Sequence, residues 1–395
     1  MKSVGIICEC NPFHEGHKYL FSRARESGAD VTVAVMSGCF VQRGEAAVAD
    51  PYLRAKALLE GGADLVLELP FPYASAGAEF FADAGVDILS KLFVDELWFG
   101  SECGNLDRLS HAAEVTRSEE FAKRYLQTTN QSAGTAQAYF DALQACCGVE
   151  DPFLSNDILG ISYLAAIMKK HSSMRPVTVR REGCGYLDQA LCEGKYPSAS
   201  ALRRLIAQDG LDGARAYMLP ETAEALQAAR ESGTLSADLA LAERAVLARL
   251  RLCSVGDLDD IAELEGGLGN RLIEMAGMAT SLSELIALTA TKKYPEARLR
   301  RGILFAMTGV TRADLKAIPA YVRVLAANPA GCAFLSKNRK NDALPTVTRQ
   351  SDLPVGESAK RQILLQERAI SLYALCLERI SDVGALLRKN ALILK

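Results

Sequence analysis

Val4-Gly5-Ile6-Ile7-Cys8-Glu9-Cys10-Asn11-Pro12-Phe13-His14-Glu15-Gly16-His17 is the stretch on which the reading of this chain turns. Val4 to Cys8 are mostly branched and apolar, as a buried parallel strand requires. Asn11-Pro12 breaks the run. From His14 the pattern turns helical, through Lys18, Tyr19, Leu20, Phe21, Arg23, Ala24 and Arg25. His14 and His17 are three apart, so they share a face of the first turn. Gly16 between them lets a ligand or another backbone come close. The free N–H groups of a helix start favour an anion such as phosphate. Two histidines there can donate hydrogen bonds to its oxygens as charge builds on them. A metal pair is the competing use, but no third ligand accompanies them in a suitable arrangement. A plain helix cap is the other.

Strand and helix then alternate. Asp30 to Ser37 reads as a second parallel strand, with Lys18 to Ser27 as the crossover helix. The loop after it holds Ser37, Gly38, Gln42, Arg43 and Gly44, where Arg43 could clamp a phosphate or carboxylate. Pro51 to Gly61 is helical, with Leu53, Ala57 and Leu58 as the apolar stripe and Arg54 and Lys56 off it. Asp64 to Leu69 is a third strand, Ala76 to Leu92 a helix and Glu96 to Phe99 a fourth strand that exits through Gly100-Ser101-Glu102. Leu106 to Gln144 is largely helical, with a break at Asn130 to Gly134. Ser155 or Asn156 caps a helix from Asp157 to Lys170. Pro176 to Glu182 is a fifth strand, and Arg180 should face away from the loops that Arg181 faces. Pro197-Ser198-Ala199-Ser200-Ala201-Leu202-Arg203-Arg204 opens a helix whose hydroxyls and N–H groups could hold further phosphates. This alternation predicts an α/β fold, a Rossmann-like parallel sheet over residues 1–210. Residues 211–395 read as a second, mainly helical domain joined near Asp209-Gly210, with Leu247, Leu250 and Leu252 packing beside Ala242 and Val246. Tyr321 to Leu325 and Leu344 to Thr348 could add short strands.

Composition narrows the class. With 395 residues the chain exceeds one typical core. Apolar residues make up 49% and charged ones 24%, ordinary values for a soluble protein. No apolar run reaches the ~20 residues of a membrane helix, and the N-terminus leads straight into a strand, so a cytoplasmic protein without a membrane partner is expected. The eleven cysteines lack zinc-type spacing. The net charge of −3 conceals a division. Residues 286–395 hold 19 basic and 8 acidic side chains, against 26 and 40 in residues 1–285. A basic end on an acidic body suggests a polyanionic partner. Its clearest cluster is Lys292, Lys293, Arg298 and Arg301 beside Tyr294, a face suited to an RNA backbone and a stacked base. Lys337-Asn338-Arg339-Lys340 and Arg388-Lys389 follow.

His14-x-Gly16-His17 after an N-terminal strand resembles the signature of the nucleotidyltransferase superfamily, whose members transfer adenylyl groups from ATP. The longer string from Glu9 to His17 is more specific. So are Met36-Ser37-Gly38-Cys39-Phe40-Val41-Gln42-Arg43-Gly44-Glu45, Asp64-Leu65-Val66-Leu67-Glu68-Leu69-Pro70 and Phe99-Gly100-Ser101-Glu102. Together they resemble the bacterial tRNA(Met) cytidine acetate ligase family, essentially over the full length. The resemblance implies that ATP and acetate give acetyl-adenylate. The acetyl group then passes to N4 of the wobble cytidine of elongator tRNA(Met), giving N4-acetylcytidine. It implies His14 and His17 as catalytic residues. It implies an ATP site made of Ile7, Cys8, Glu9, Cys10, Asn11, Pro12, Phe13, Glu15, Gly16, Lys18, Tyr19 and Leu20 besides the histidines, with Gly100, Asn156, Arg181 and Glu182. Mg²⁺ is expected, held mainly by phosphates and water, and the C-terminal domain is expected to bind the tRNA. Cys10 departs from the family's usual aromatic, and Glu15 adds a carboxylate near the phosphates. Phe13, Phe40 or Trp98 could wall a pocket for a two-carbon acid. Two other readings remain: an adenylyltransferase acting on a phosphorylated small molecule, and a non-catalytic RNA-binding protein.

Overall fold

The computed structural model of the protein describes residues 1–130, 135–148, 151–181, 198–231, 233–235, 238–338 and 343–394. Five strands, β1 (Ser3–Cys8), β2 (Val31–Ser37), β3 (Leu65–Leu69), β4 (Glu96–Ser101) and β5 (Arg175–Arg180), lie parallel in the order β5-β4-β1-β2-β3. The expected doubly wound parallel sheet is therefore present. The chain moves from β1 outward to β3, then returns to place β4 on the other side of β1. That reversal leaves a crevice between the carboxyl ends of β1 and β4, the switch point at which such sheets bind ligands.

Alternation along each strand builds the two faces. Val4, Ile6, Ala34, Met36 and Val66 pack under helices α1 (Glu15–Glu26) and α2 (Pro51–Glu60). Ile7, Val33, Val35, Leu65 and Leu67 pack under α3 (Ala78–Lys91) and α4 (Ser155–Lys169) on the other side. The α1 helix turns inward because Phe21 and Ala24 are its buried positions, while Arg23 and Glu26 pair at 2.7 Å on the outside.

The helix expected after Pro197 is α5 (Ala199–Ala214), kinked at Gly210, where the chain takes φ +73°. From there helices dominate, including α6 (Glu296–Thr308) and α7 (Glu357–Leu375). Three strands interrupt them and extend the same sheet. β6 (Val322–Ala327) runs antiparallel to β3, while β7 (Thr346–Val347) and β8 (Leu392–Ile393) run parallel to β6. Phe40 and Phe71, on loops after β2 and β3, sit in one core with Leu304, Phe305 and Tyr373 of the helical part. We retain the division at residues 210 and 211 as a proposal about binding roles, because sheet and core are continuous across it.

Three expectations fail in the second half. Leu252 is 86% exposed instead of packed, since its helix ends there. Arg298 and Arg301 do not form an outer basic face. Both turn inward onto Glu263, at 3.6 and 2.7 Å, and Arg298 also donates to the Glu263 carbonyl. Tyr294 is buried, its hydroxyl donating to the Gly266 carbonyl and its ring lying under the Arg298 guanidinium. Charge that looks solvated in the sequence here ties α6 to the distant loop that carries Glu263. Lys292 and Lys293 remain exposed. Arg339 and Lys340 lie outside the described residues.

Candidate active site

A cavity of about 350 Å³ opens at the switch point. Its wall includes Ile7, Cys8 and Glu9 from the end of β1, His14, His17 and Leu20 from the start of α1, and Gly100 from β4. Asn156 from α4, Arg180 at the end of β5, Arg181 after it, and Ser198 to Ser200 with Arg203 from the start of α5 complete it, together with Gln42 and Arg43. Residues separated by almost two hundred positions thus meet at one end of the sheet.

The turn between β1 and α1 is tightly determined. Cys10 is buried with φ +47°, and the Asn11–Pro12 bond is cis. Asn11 accepts from the Val48 N–H at 2.7 Å, and its carbonyl accepts from Arg203 at 2.9 Å. Phe13 is fully buried under α2 and stacks on His17 at 5.8 Å. The turn therefore delivers His14 as the N-cap of α1. Its Nδ1 accepts the Gly16 N–H at 3.0 Å, which leaves Nε2 to carry the proton of the neutral ring. The His17 ring lies 4.0 Å from that of His14, and its Nδ1 is buried without a partner. Burial, then the neighbouring ring and Arg181, hold His14 well below the usual histidine range. Burial and Arg181 bring His17 down to about 3. Both rings are neutral at pH 7, so they act as hydrogen-bond donors rather than as cations.

This depression has a sign that can be measured. Between pH 6.5 and about 3 the unfolded chain binds a proton at His17 that the folded chain refuses, so stability falls on acidification through that window. Urea unfolding of His17→Gln is expected to show a flatter loss between pH 6.5 and 4 than the unsubstituted protein. Identical slopes would contradict a buried neutral ring.

Asn156 and Arg181 meet across the cavity, Arg181 Nη1 lying 3.4 Å from Asn156 Oδ1. The sequence reading made Ser155 or Asn156 the cap of α4. Both instead lie in its first turn, where Asp157 accepts from the Leu154 N–H and Glu102 accepts from the N–H groups of Asn156 and Asp157. Glu102 accepts from the Asn156 side chain at 2.6 Å and from the Asp157 N–H at 2.9 Å. Gly100 leaves room for the Arg181 stem, since an added Cβ would lie 3.1 Å from Arg181 Cγ and push it aside by a few tenths of an ångström. Arg180, expected to point elsewhere, also borders the cavity, since the chain leaves the strand there and alternation ends. Ser198 caps α5 by accepting from Ala201 N–H at 3.2 Å, so the starts of α1, α4 and α5 converge on one anion-sized space. Arg203 is spent on Glu45 at 2.8 Å and on the Asn11 carbonyl.

Not every expected residue reaches the cavity. Cys10, Asn11, Pro12 and Phe13 are buried behind it, while Glu15, Gly16, Lys18 and Tyr19 lie along α1 outside the wall. Burial pushes the Cys10 thiol up, which removes any nucleophilic use. Glu182 and Pro197 lie outside the described residues. Phe13, Phe40 and Trp98 are buried in the cores and do not line this cavity. The aromatic walls are Phe81, Phe99 and Tyr163. Sequence reasoning also missed Arg54, which it placed off the apolar stripe. It is 2% exposed and donates to the carbonyls of Glu9 at 2.8 Å, Ser37 at 2.9 Å and Ala49 at 3.0 Å, and to Gly38.

Among the described residues, no group of three or more His, Cys, Asp or Glu could hold a metal ion. No helix among them is long and apolar enough to cross a membrane.

Comparison with known proteins agrees with this geometry. The family model described as HIGH Nucleotidyl Transferase matches residues 1–384. A Listeria monocytogenes protein named tRNA(Met) cytidine acetate ligase is 37% identical over 385 residues, covering 95% of each chain. The crystal structure of apo Thermotoga maritima TmcAL superimposes with a TM-score of 0.90 at 29% identity, covering 100% of both chains. The same protein bound with alpha-thio ATP gives 0.89 at 28% identity, again over 100% of both. The chain belongs to the HIGH nucleotidyl transferase family and, within it, to the tRNA(Met) cytidine acetate ligases.

Proposed function

We propose that this protein joins acetate to ATP as acetyl-adenylate and transfers the acetyl group to N4 of the wobble cytidine of elongator tRNA(Met). The observation that carries the reading is the pair of neutral histidines, 4.0 Å apart at a helix start, facing a cavity at the switch point of the sheet. The Thermotoga relative bound with alpha-thio ATP supports nucleotide binding.

An oxygen of acetate attacks the α-phosphorus, and the bond to pyrophosphate breaks with its electron pair. The acid enters as a carboxylate, so no base is needed for this step. His14 donates from Nε2 to phosphate oxygens as charge grows there, and His17 acts beside it. Asn156, with Arg181 beside it and oriented by Glu102, positions the nucleotide. The converging helix starts favour the triphosphate. Mg²⁺ carried by the triphosphate and water would neutralise phosphate charge. The described residues offer no cage for it.

The acceptor must arrive unpaired, and an anticodon loop presents its wobble base that way. Support for RNA on the second half comes from the excess of basic residues over 286–395 and from the position of α6. An added Cβ on Gly44 would lie 2.7 Å from the Arg300 backbone, so α6 adjoins the loop that carries Arg43 into the cavity wall.

Purified protein incubated with ATP, Mg²⁺, labelled acetate and an elongator tRNA(Met) transcript tests the proposal. Label on the wobble cytidine is the expected result. Pyrophosphate release that needs a phosphorylated metabolite instead of acetate would replace it. A second measurement separates structural from RNA-binding basic residues. Arg301→Ala should lower stability by about 1–3 kcal/mol yet leave the salt dependence of tRNA binding unchanged. Lys292→Ala with Lys293→Ala should reduce that salt slope by about one to two phosphate contacts. An unchanged slope would put the RNA elsewhere.

A further inference from the structure

One wall of the cavity is apolar, unlike the side formed by His14, His17, Asn156 and Arg181. Ile7 from β1, Phe81 from α3, Phe99 from β4, and Leu159 and Tyr163 from α4 meet there. Phe81, Phe99 and Tyr163 are 1%, 4% and 2% exposed, and the Phe99 and Tyr163 rings lie 5.7 Å apart. Gly160 lets α4 close on this wall, since an added Cβ would sit 2.7 Å from the Phe99 ring. The packing leaves little room to yield.

Within this apolar wall stands one polar atom. The Tyr163 hydroxyl is buried and has no hydrogen-bond partner. Buried hydroxyls are almost always paired, so an orphan on a cavity wall marks a place where a ligand atom completes the bond. Glu9 and Cys8 line the cavity nearby, and Tyr163 remains a neutral donor because burial, Cys8 and Glu9 all push its phenol up.

We infer that this wall is the acid subsite, with the Tyr163 hydroxyl donating to the acid's carboxylate and the Ile7, Phe81, Phe99 and Leu159 side chains enclosing its methyl group. The inference rests on the acetate-activating reading above and names the residues that select the acid. Tyr163 donates to the carboxylate oxygen that does not attack phosphorus, which turns the other oxygen toward the α-phosphate beside His14 and His17. No proton changes hands. The rigid aromatic floor sets the length limit: one further methylene must displace a packed ring, a penalty that in apolar pockets discriminates by roughly 10–200-fold.

The test is ATP–pyrophosphate exchange driven by acetate or propionate, in the full chain without tRNA. Tyr163→Phe keeps the ring and its packing. It is expected to raise the acetate KM about ten- to a hundredfold, the worth of one hydrogen bond to a charged group, and to leave the ATP KM within twofold. Leu159→Ala should lower the acetate-to-propionate ratio of kcat/KM about tenfold or more. An unchanged acetate KM in Tyr163→Phe, or a shift confined to the ATP KM, would overturn the assignment and give this wall to the nucleotide. Absence of acid-dependent exchange in the unsubstituted protein would instead remove the acetate reading itself.

Discussion

Alanine at His14 or His17 is expected to cut acetate-dependent ATP–pyrophosphate exchange by about 10²–10³-fold, with ATP affinity changed far less. The difference follows from what the rings can do. Both are neutral, so their attraction for ground-state phosphate is modest. Their donated hydrogen bonds strengthen only as the pyrophosphate bond breaks and charge accumulates. His14 carries a second duty as the N-cap of α1, through the Gly16 N–H. Its alanine variant therefore also loses about 1 kcal/mol of stability. His14→Asn separates the two duties, because asparagine caps a helix as well but does not place a donor at the same reach. It should recover the stability and not the exchange. Exchange within tenfold of normal in both alanine variants, from protein that binds ATP, would end the case for transition-state stabilisation by this pair.

Arg54→Leu is expected to cost about 3–5 kcal/mol in urea unfolding and to weaken ATP binding as well. Arg54 donates at once to the loop after β1, the loop after β2 and the approach to α2, through the carbonyls of Glu9, Ser37, Gly38 and Ala49. Its loss strands those carbonyls away from water, each worth about 1–3 kcal/mol if nothing replaces the donor. Leucine fills the space, so packing alone cannot explain a large effect. Arg54→Lys keeps a charge but not the planar fork, and should recover only part of the stability. A loss below 1 kcal/mol in Arg54→Leu would mean that water reaches these carbonyls and that the loops are held by other contacts.

The sheet was legible because each of its parallel strands is a short run with branched or aromatic apolar residues between breakers. Observed boundaries fall within a residue or two of those expected, as for Val31–Ser37 against 30–37. The His14–His17 turn was legible because its chemistry is local: strand, break, cap and ligand group lie within fourteen consecutive residues. Distant site residues were harder. Asn156 looked like a cap, and only the approach of Glu102, just after β4, shows that its side chain is fixed at the cavity wall.

Sequence alone determined the α/β class, the switch-point loop with its two histidines, and the excess of positive charge near the C-terminus. Each depends on periodicity, turn chemistry or charge within a short window. Tertiary structure alone decided which charges are spent inside. Arg54 serves four carbonyls and Arg301 faces Glu263, whereas a helical wheel makes both look solvated. It also decided that Phe81, Phe99 and Tyr163 share a wall, and that β6 completes the sheet beside β3. The physical reason is the same in each case. Burial and pairing depend on which surfaces meet, and residues far apart in the chain meet only once the whole sheet has closed.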